Sequence, residues 1–117
     1  MKCTDMEESL KFYVNVLDFD HVGTWPASGS PSFSIVRKED IEITLSTHAG
    51  DGIAGNAVFI IADDVDALFQ KFLSRGLNPS NKLESPVHQG PIDQTWGWRE
   101  FYVTDPSGNT LRFGKKL

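Results

Sequence analysis

A chain of 117 residues, 39% of them hydrophobic, has the size and apolar content of one globular domain, or of two small modules that share a core. Sixteen Asp and Glu against eleven Lys and Arg leave a net charge of −5, which disfavours nucleic acid and mildly attracts cations. Cys3 is the single cysteine, so an intramolecular disulfide and a thiolate metal cluster are excluded, and no apolar run reaches membrane-spanning length.

The opening MKCTDMEESL holds neither a basic stretch before an apolar core nor a cleavage signal, so export is not expected and the chain reads as cytoplasmic. Residues 5–17 predict the first helix, because Leu10, Tyr13, Val14 and Leu17 recur at the spacing of one apolar face. Thr4 and Glu7 stand at capping-box spacing, and Asp5, Glu7 and Glu8 lie where the helix dipole favours negative charge. Ahead of this helix only Met1 to Thr4 remain for a strand.

Strands are predicted at 19–25, 32–36 and 41–45, separated by the Gly, Ser and Pro loop 27–31 and the polar turn 37–40. In the third, Ile41, Ile43 and Leu45 alternate with Glu42, Thr44 and Ser46. The Gly-rich polar stretch 47–56 reads as a connection between halves. This gives a first module at about 1–48, a linker at about 49–55 and a second module at about 56–117.

The pattern then begins again. Residues 57–62 form an apolar strand, and 64–75 a helix with Leu68, Phe69, Phe72 and Leu73 inward and Gly76 at its end. Setting Asp64 on Asp5 sets Val65 on Met6, Asp66 on Glu7, Phe69 on Leu10 and Phe72 on Tyr13, an internal repeat with an offset of 59. A Pro-bearing segment at 81–87 and a loop at 89–94 lead to a closing hairpin, so each half reads strand, helix, three strands.

The hairpin is the most informative stretch. Phe101, Tyr102 and Val103 are strand formers, and Asp105, Pro106, Ser107, Gly108 and Asn109 are turn formers. Alternation puts Phe101, Val103, Leu111 and Phe113 on an apolar face and Trp98, Glu100, Tyr102 and Arg112 on a chemically mixed one. Neither half has enough surface to bury alone, so an α+β fold is expected: tandem βαβββ modules in a curved mixed sheet, helices outside, a concave face between.

The segments DMEESLKFYVNVLDF, ADDVDALF and REFYVTDPSGNTLRF, in this order and within this repeat, resemble the vicinal-oxygen-chelate superfamily. That superfamily comprises glyoxalase I, extradiol dioxygenases and bleomycin resistance proteins. Its metalloenzymes hold a divalent ion with His, Gln or Glu from the first and last strands of each module. Carried onto this chain, those positions fall on Thr44, Ala57 and Arg112, with the fourth ahead of Met1. Alanine coordinates nothing and arginine brings positive charge where a cation would sit, so the resemblance implies vacant metal positions and no cofactor.

Trp96 with Gly97, the turn that follows and the pair Leu111 and Arg112 look most like the bleomycin resistance branch, whose members act as homodimers that sequester the drug. That likeness implies a small-molecule ligand, such as a cationic or aromatic antibiotic, with Phe33 and Trp96 packing it and Phe59, Trp98, Glu100, Tyr102 and Arg112 adding to the wall. Each of these aromatics also fits a core or an interface. His21, His48 and His88 fall at a strand start, in the linker and in a loop, and read as solvated. The open alternative is a metal-dependent lyase, isomerase or dioxygenase with ligands in another register; an interaction domain without a ligand is a third.

Overall fold

The computed structural model describes all 117 residues. It is α+β, and its contacts divide it into two compact units: Met1–Asn56 with Asp105–Asn109, and Ala57–Thr104 with Thr110–Leu117. No helix is long and apolar enough to cross a membrane.

In the first unit, helix α1 (Met6–Leu10) is capped by Asp5, whose Oδ1 accepts from the Glu8 backbone N–H at 3.0 Å. This corrects the expected Thr4–Glu7 box: the Thr4 N–H donates instead to Ser107 Oγ at 2.9 Å. From Lys11 to Val16 the helix widens to π geometry, closed by the Leu17 N–H on the Phe12 carbonyl at 3.1 Å. Strands β1 (Asp20–Trp25), β2 (Phe33–Lys38) and β3 (Ile41–Ser46) form an antiparallel sheet in the order β1-β2-β3. Val36, Ile43 and Leu45 are buried with Tyr13, Leu17 and Phe19. The strand expected at the N-terminus is reduced to one parallel bridge, Lys2 to Ser46.

Asp105 and Asn109 hold this unit together. The Tyr13 hydroxyl donates to Asp105 Oδ2 at 2.8 Å, while Asp105 Oδ1 accepts the Ser107 and Asn109 backbone N–H groups, each at 2.9 Å. Asn109 Oδ1 accepts the Gly55 and Asn56 N–H groups, and its Nδ2 donates to the Lys2 carbonyl at 2.8 Å. The Tyr13 hydroxyl, the Asp105 carboxylate and the Asn109 amide are buried and would otherwise be unpaired polar groups in the core. The turn that the sequence marks most strongly is thus a structural clasp.

In the second unit, β4 (Ala57–Ile61), β5 (Ile92–Asp93), β6 (Trp98–Thr104) and β7 (Thr110–Lys116) make a mixed sheet in the order β4-β7-β6-β5, with β4 parallel to β7 and the other pairs antiparallel. Helix α2 (Val65–Ser74) starts at Asp64, whose Oδ1 accepts from the Ala67 N–H at 3.0 Å. That repeats the Asp5–Glu8 cap at the offset of 59, so the internal repeat extends to the capping geometry. Val65, Phe69 and Phe72 are buried, with Phe69 and Phe72 edge-on to Phe101 and Phe101 stacked on Phe113 at 5.0 Å. Leu68 and Leu73 are only half-buried.

The Pro-bearing segment is where the strand count departs from expectation. Residues 79–89 fold into a 3₁₀ turn (Pro79–Lys82) and a short helix, α3 (Pro86–Gln89), and the missing strand is β5, two residues inside the predicted loop. Proline fits the first turn of a helix, where its absent N–H is not needed, better than the interior of a ladder.

Candidate functional site

Cross-strand register assembles the mixed face of the second unit. Arg112 on β7 stands opposite Tyr102 on β6 and Phe59 on β4, and Gly114 opposite Glu100 and Ile61. Directly opposed residues share a face, so Phe59, Arg112 and Tyr102 form one row across three strands. The guanidinium carbon of Arg112 lies 5.6 Å from the Phe59 ring centroid and 5.0 Å from that of Tyr102, within cation–π range of both.

Glu100 lies beneath this row. It is 1% exposed, and both carboxylate oxygens are engaged: Arg112 Nη2 donates to Oε1 at 3.2 Å and the Trp96 indole Nε1 to Oε2 at 2.9 Å. A buried carboxylate without a partner is costly, so Arg112 and Trp96 are held together by Glu100's need for donors. Arg112 Nε is buried and has no acceptor.

Gly114 makes room. A Cβ there would lie 2.5 Å from Phe59 Cζ and 3.3 Å from Glu100 Cγ, so the missing side chain lets Phe59 lie down over the strand. Phe59 then meets Trp98 edge-on at 5.2 Å. Phe59 is 42% exposed and Trp96 56%, which leaves an open aromatic surface rather than a sealed core.

His88 borders the same face. Its Nε2 is 3.0 Å from Thr104 Oγ1, its Nδ1 2.8 Å from Ser85 Oγ, and its ring is edge-on to Tyr102 at 5.9 Å. Burial lowers its pKa, and the charge of Lys82 lowers it further, so the ring is neutral near pH 7. The expectation of a solvated loop histidine is corrected: the short helix α3, unseen in the sequence, turns it toward the sheet. Asp93 lies away from His88's partners and joins Asp66 on Arg99, at 3.0 and 2.9 Å. Burial also raises the Tyr102 pKa, against the opposing charge of Arg112.

The expected residues are therefore brought together unevenly. Phe59, Trp96, Trp98, Glu100, Tyr102 and Arg112 all lie on or beside one face of the second unit, whereas Phe33 lies on β2 of the first, 6.5 Å from Trp25. Glu100, expected to meet a ligand, is covered and serves its neighbours. Sequence patterning had no means of finding Gly114, whose role the paired register shows, or the placement of His88, which α3 sets.

A divalent ion does not fit these residues. Thr44 is exposed on β3, Ala57 offers no donor, and Arg112 puts a paired guanidinium where a carboxylate ligand is expected. No three His, Cys, Asp or Glu side chains gather as a metal would require. The first unit has an open recess of about 620 Å³ lined by Met6, Leu10, His21, Thr24 and Ser32, but none of the expected residues reaches it and His21 is engaged by Thr24 at 2.8 Å.

Residues 2–113 match the family model described as the Glyoxalase/Bleomycin resistance protein/Dioxygenase superfamily. No curated protein sequence matches the chain. Among solved structures, the bleomycin resistance determinant encoded on the transposon Tn5 is similar, with 19% identity and a TM-score of 0.75 over 99% of this chain and 92% of that one. A bleomycin-binding protein from bleomycin-producing Streptomyces verticillus, complexed with copper(II)-bleomycin, has 26% identity and a TM-score of 0.64 over 96% and 88%. An antibiotic binding protein from Streptomyces sp. CB03234 has 21% identity and a TM-score of 0.73 over 100% and 93%.

Proposed function

Because the chain belongs to the glyoxalase/bleomycin resistance protein/dioxygenase superfamily, which contains both metalloenzymes and drug binders, we propose that it is a binder: a metal-independent protein that sequesters a small aromatic molecule, an antibiotic being the leading case. The observation that carries this reading is Arg112, ion-paired to buried Glu100 and flanked by Phe59 and Tyr102 where a metal ligand is expected. Positive charge at that point repels a divalent ion and leaves aromatic faces and donor groups for an organic ligand. The antibiotic- and bleomycin-binding neighbours support the same direction.

The physics of such a site is affinity without turnover. Ring-to-ring contacts add about 0.5–1.5 kcal/mol each beyond the area they bury. Phe59, Trp98, Tyr102 and Trp96 supply four such faces, and Arg112 fixes orientation. A homodimer is part of the proposal: β4 is an edge strand and leaves Ile61 68% exposed, apolar surface that a second copy would cover.

Titration with bleomycin, followed by tryptophan fluorescence, tests the drug assignment. A saturable change at micromolar protein that is lost in Trp96→Phe and Trp98→Phe together supports it. No saturable change removes bleomycin from the reading.

A further inference from the structure

The face built around Arg112 carries the opposite charge to the chain. On it the four strands place Ala57, Phe59 and Ile61 from β4, Thr110, Arg112, Gly114 and Lys116 from β7, Trp98, Glu100, Tyr102 and Thr104 from β6, and Ile92 from β5. Its ionised groups are Arg112, Lys116 and Glu100, two positive and one negative, within a chain of net charge −5. Glu100 is the only carboxylate among them, and it is 1% exposed with both oxygens taken. His88 adds no positive charge near pH 7, since burial lowers its pKa. A ligand at Arg112 thus meets that guanidinium and no free carboxylate, with Lys116 four residues further along β7. Carboxylates elsewhere on the chain are screened over a Debye length of about 8 Å at physiological salt.

Arg112 is also partly open to a ligand. Nη2 engages Glu100, the Tyr102 hydroxyl shares the guanidinium, and Nε is buried without an acceptor, while about one-third of the side chain stays open to solvent. A partly exposed guanidinium between two aromatic rings is suited to a planar group bearing oxygen acceptors, because charge-assisted hydrogen bonds to an anionic oxygen are the strongest it makes.

We propose that the ligand of this face is a planar aromatic molecule carrying an anionic oxygen, an aryl carboxylate or ionised phenol, with its ring against Phe59, Trp98 and Tyr102 and its oxygen on Arg112. The proposal rests on the small-molecule-binding reading and sharpens it. It also reverses the preference for cations that the net charge alone suggests: the charge on the local face decides the ligand, and the sum over the chain does not.

Three probes that share one ring system separate the cases by calorimetry: 2-naphthoate, 2-naphthylmethanol and 2-naphthylmethylammonium. The expected order is naphthoate tightest, by about tenfold over the ammonium probe. The paired substitution Arg112→Met with Glu100→Gln removes the guanidinium, avoids stranding a buried carboxylate, and is expected to narrow the difference between probes, with Lys116 left as the one cation of the face. Naphthylmethylammonium or naphthylmethanol binding as tightly as naphthoate overturns the anionic class while leaving the aromatic-binder reading intact. If none of the three binds saturably, both fall. The wild-type series decides the class by itself should the variant not fold.

Discussion

Arg112 Nη2 sits 3.2 Å from Oε1 of Glu100, a carboxylate that is 1% exposed, and the guanidinium is itself about one-third exposed. The pair is asymmetric: Arg112 without Glu100 is a half-solvated cation, but Glu100 without Arg112 is a stranded buried anion. Arg112→Met is therefore expected to cost more stability than the double change Arg112→Met with Glu100→Gln. A difference of about 2 kcal/mol is expected, below the range for fully buried pairs because Arg112 is partly screened. Urea denaturation of both variants measures it.

Asp105 accepts from the Tyr13 hydroxyl, two backbone N–H groups and the Asn109 side chain. Asp105→Ala strands the buried Tyr13 hydroxyl and Asn109 N–H and takes one acceptor from Ser107 N–H and from Asn109 Nδ2, which keeps the Lys2 carbonyl, and a loss of about 3 kcal/mol is expected in chemical denaturation. Tyr13→Phe removes one donor and leaves the carboxylate otherwise satisfied, so about 1 kcal/mol is expected.

Gly114→Ala tests the space beneath Phe59. The added methyl would lie 2.5 Å from Phe59 Cζ, the far end of a side chain that is 42% exposed and free to swing outward. Stability is expected to fall by less than about 1 kcal/mol, while the Phe59–Trp98 edge contact is lost and near-ultraviolet circular dichroism of the indoles changes. An unchanged spectrum would show that Phe59 does not depend on that glycine.

His88 gives the fold an acid limb. Burial lowers its folded-state pKa below the ordinary 6.5, so the unfolded chain binds the proton more readily. The contribution is complete above about pH 6.5 and is lost as pH falls through the folded-state value. Melting temperature between pH 7.5 and pH 5 should decline less steeply in His88→Gln than in the parent.

Much of this was legible in the residues. The repeat at 59 was legible, because setting Asp64 on Asp5 aligns the apolar positions of both helices, but the first cap was expected at Thr4 and is made by Asp5. The row of Phe59, Tyr102 and Arg112 was half legible: strand alternation places Tyr102 and Arg112 on a mixed face, but only β4 lying parallel beside β7 brings Phe59 to them. The burial of Glu100 and the turning of His88 were not legible, since each depends on a non-local neighbour: Trp96 folding back to donate, and a proline-led turn of helix where a strand was expected. Phe33 was assigned by resemblance to the same wall, yet it belongs to the other unit.

The most direct test of the central claim is a ¹⁵N–¹H correlation titration that resolves the indole N–H of Trp25, Trp96 and Trp98 and the Nε–H of Arg112 while 2-naphthoate is added. Trp96, Trp98 and Arg112 are expected to shift together and saturate, Trp25 to stay still, and the ligand to be recovered chemically unchanged. Shifts confined to Trp25, or none at any of these groups, would contradict the claim.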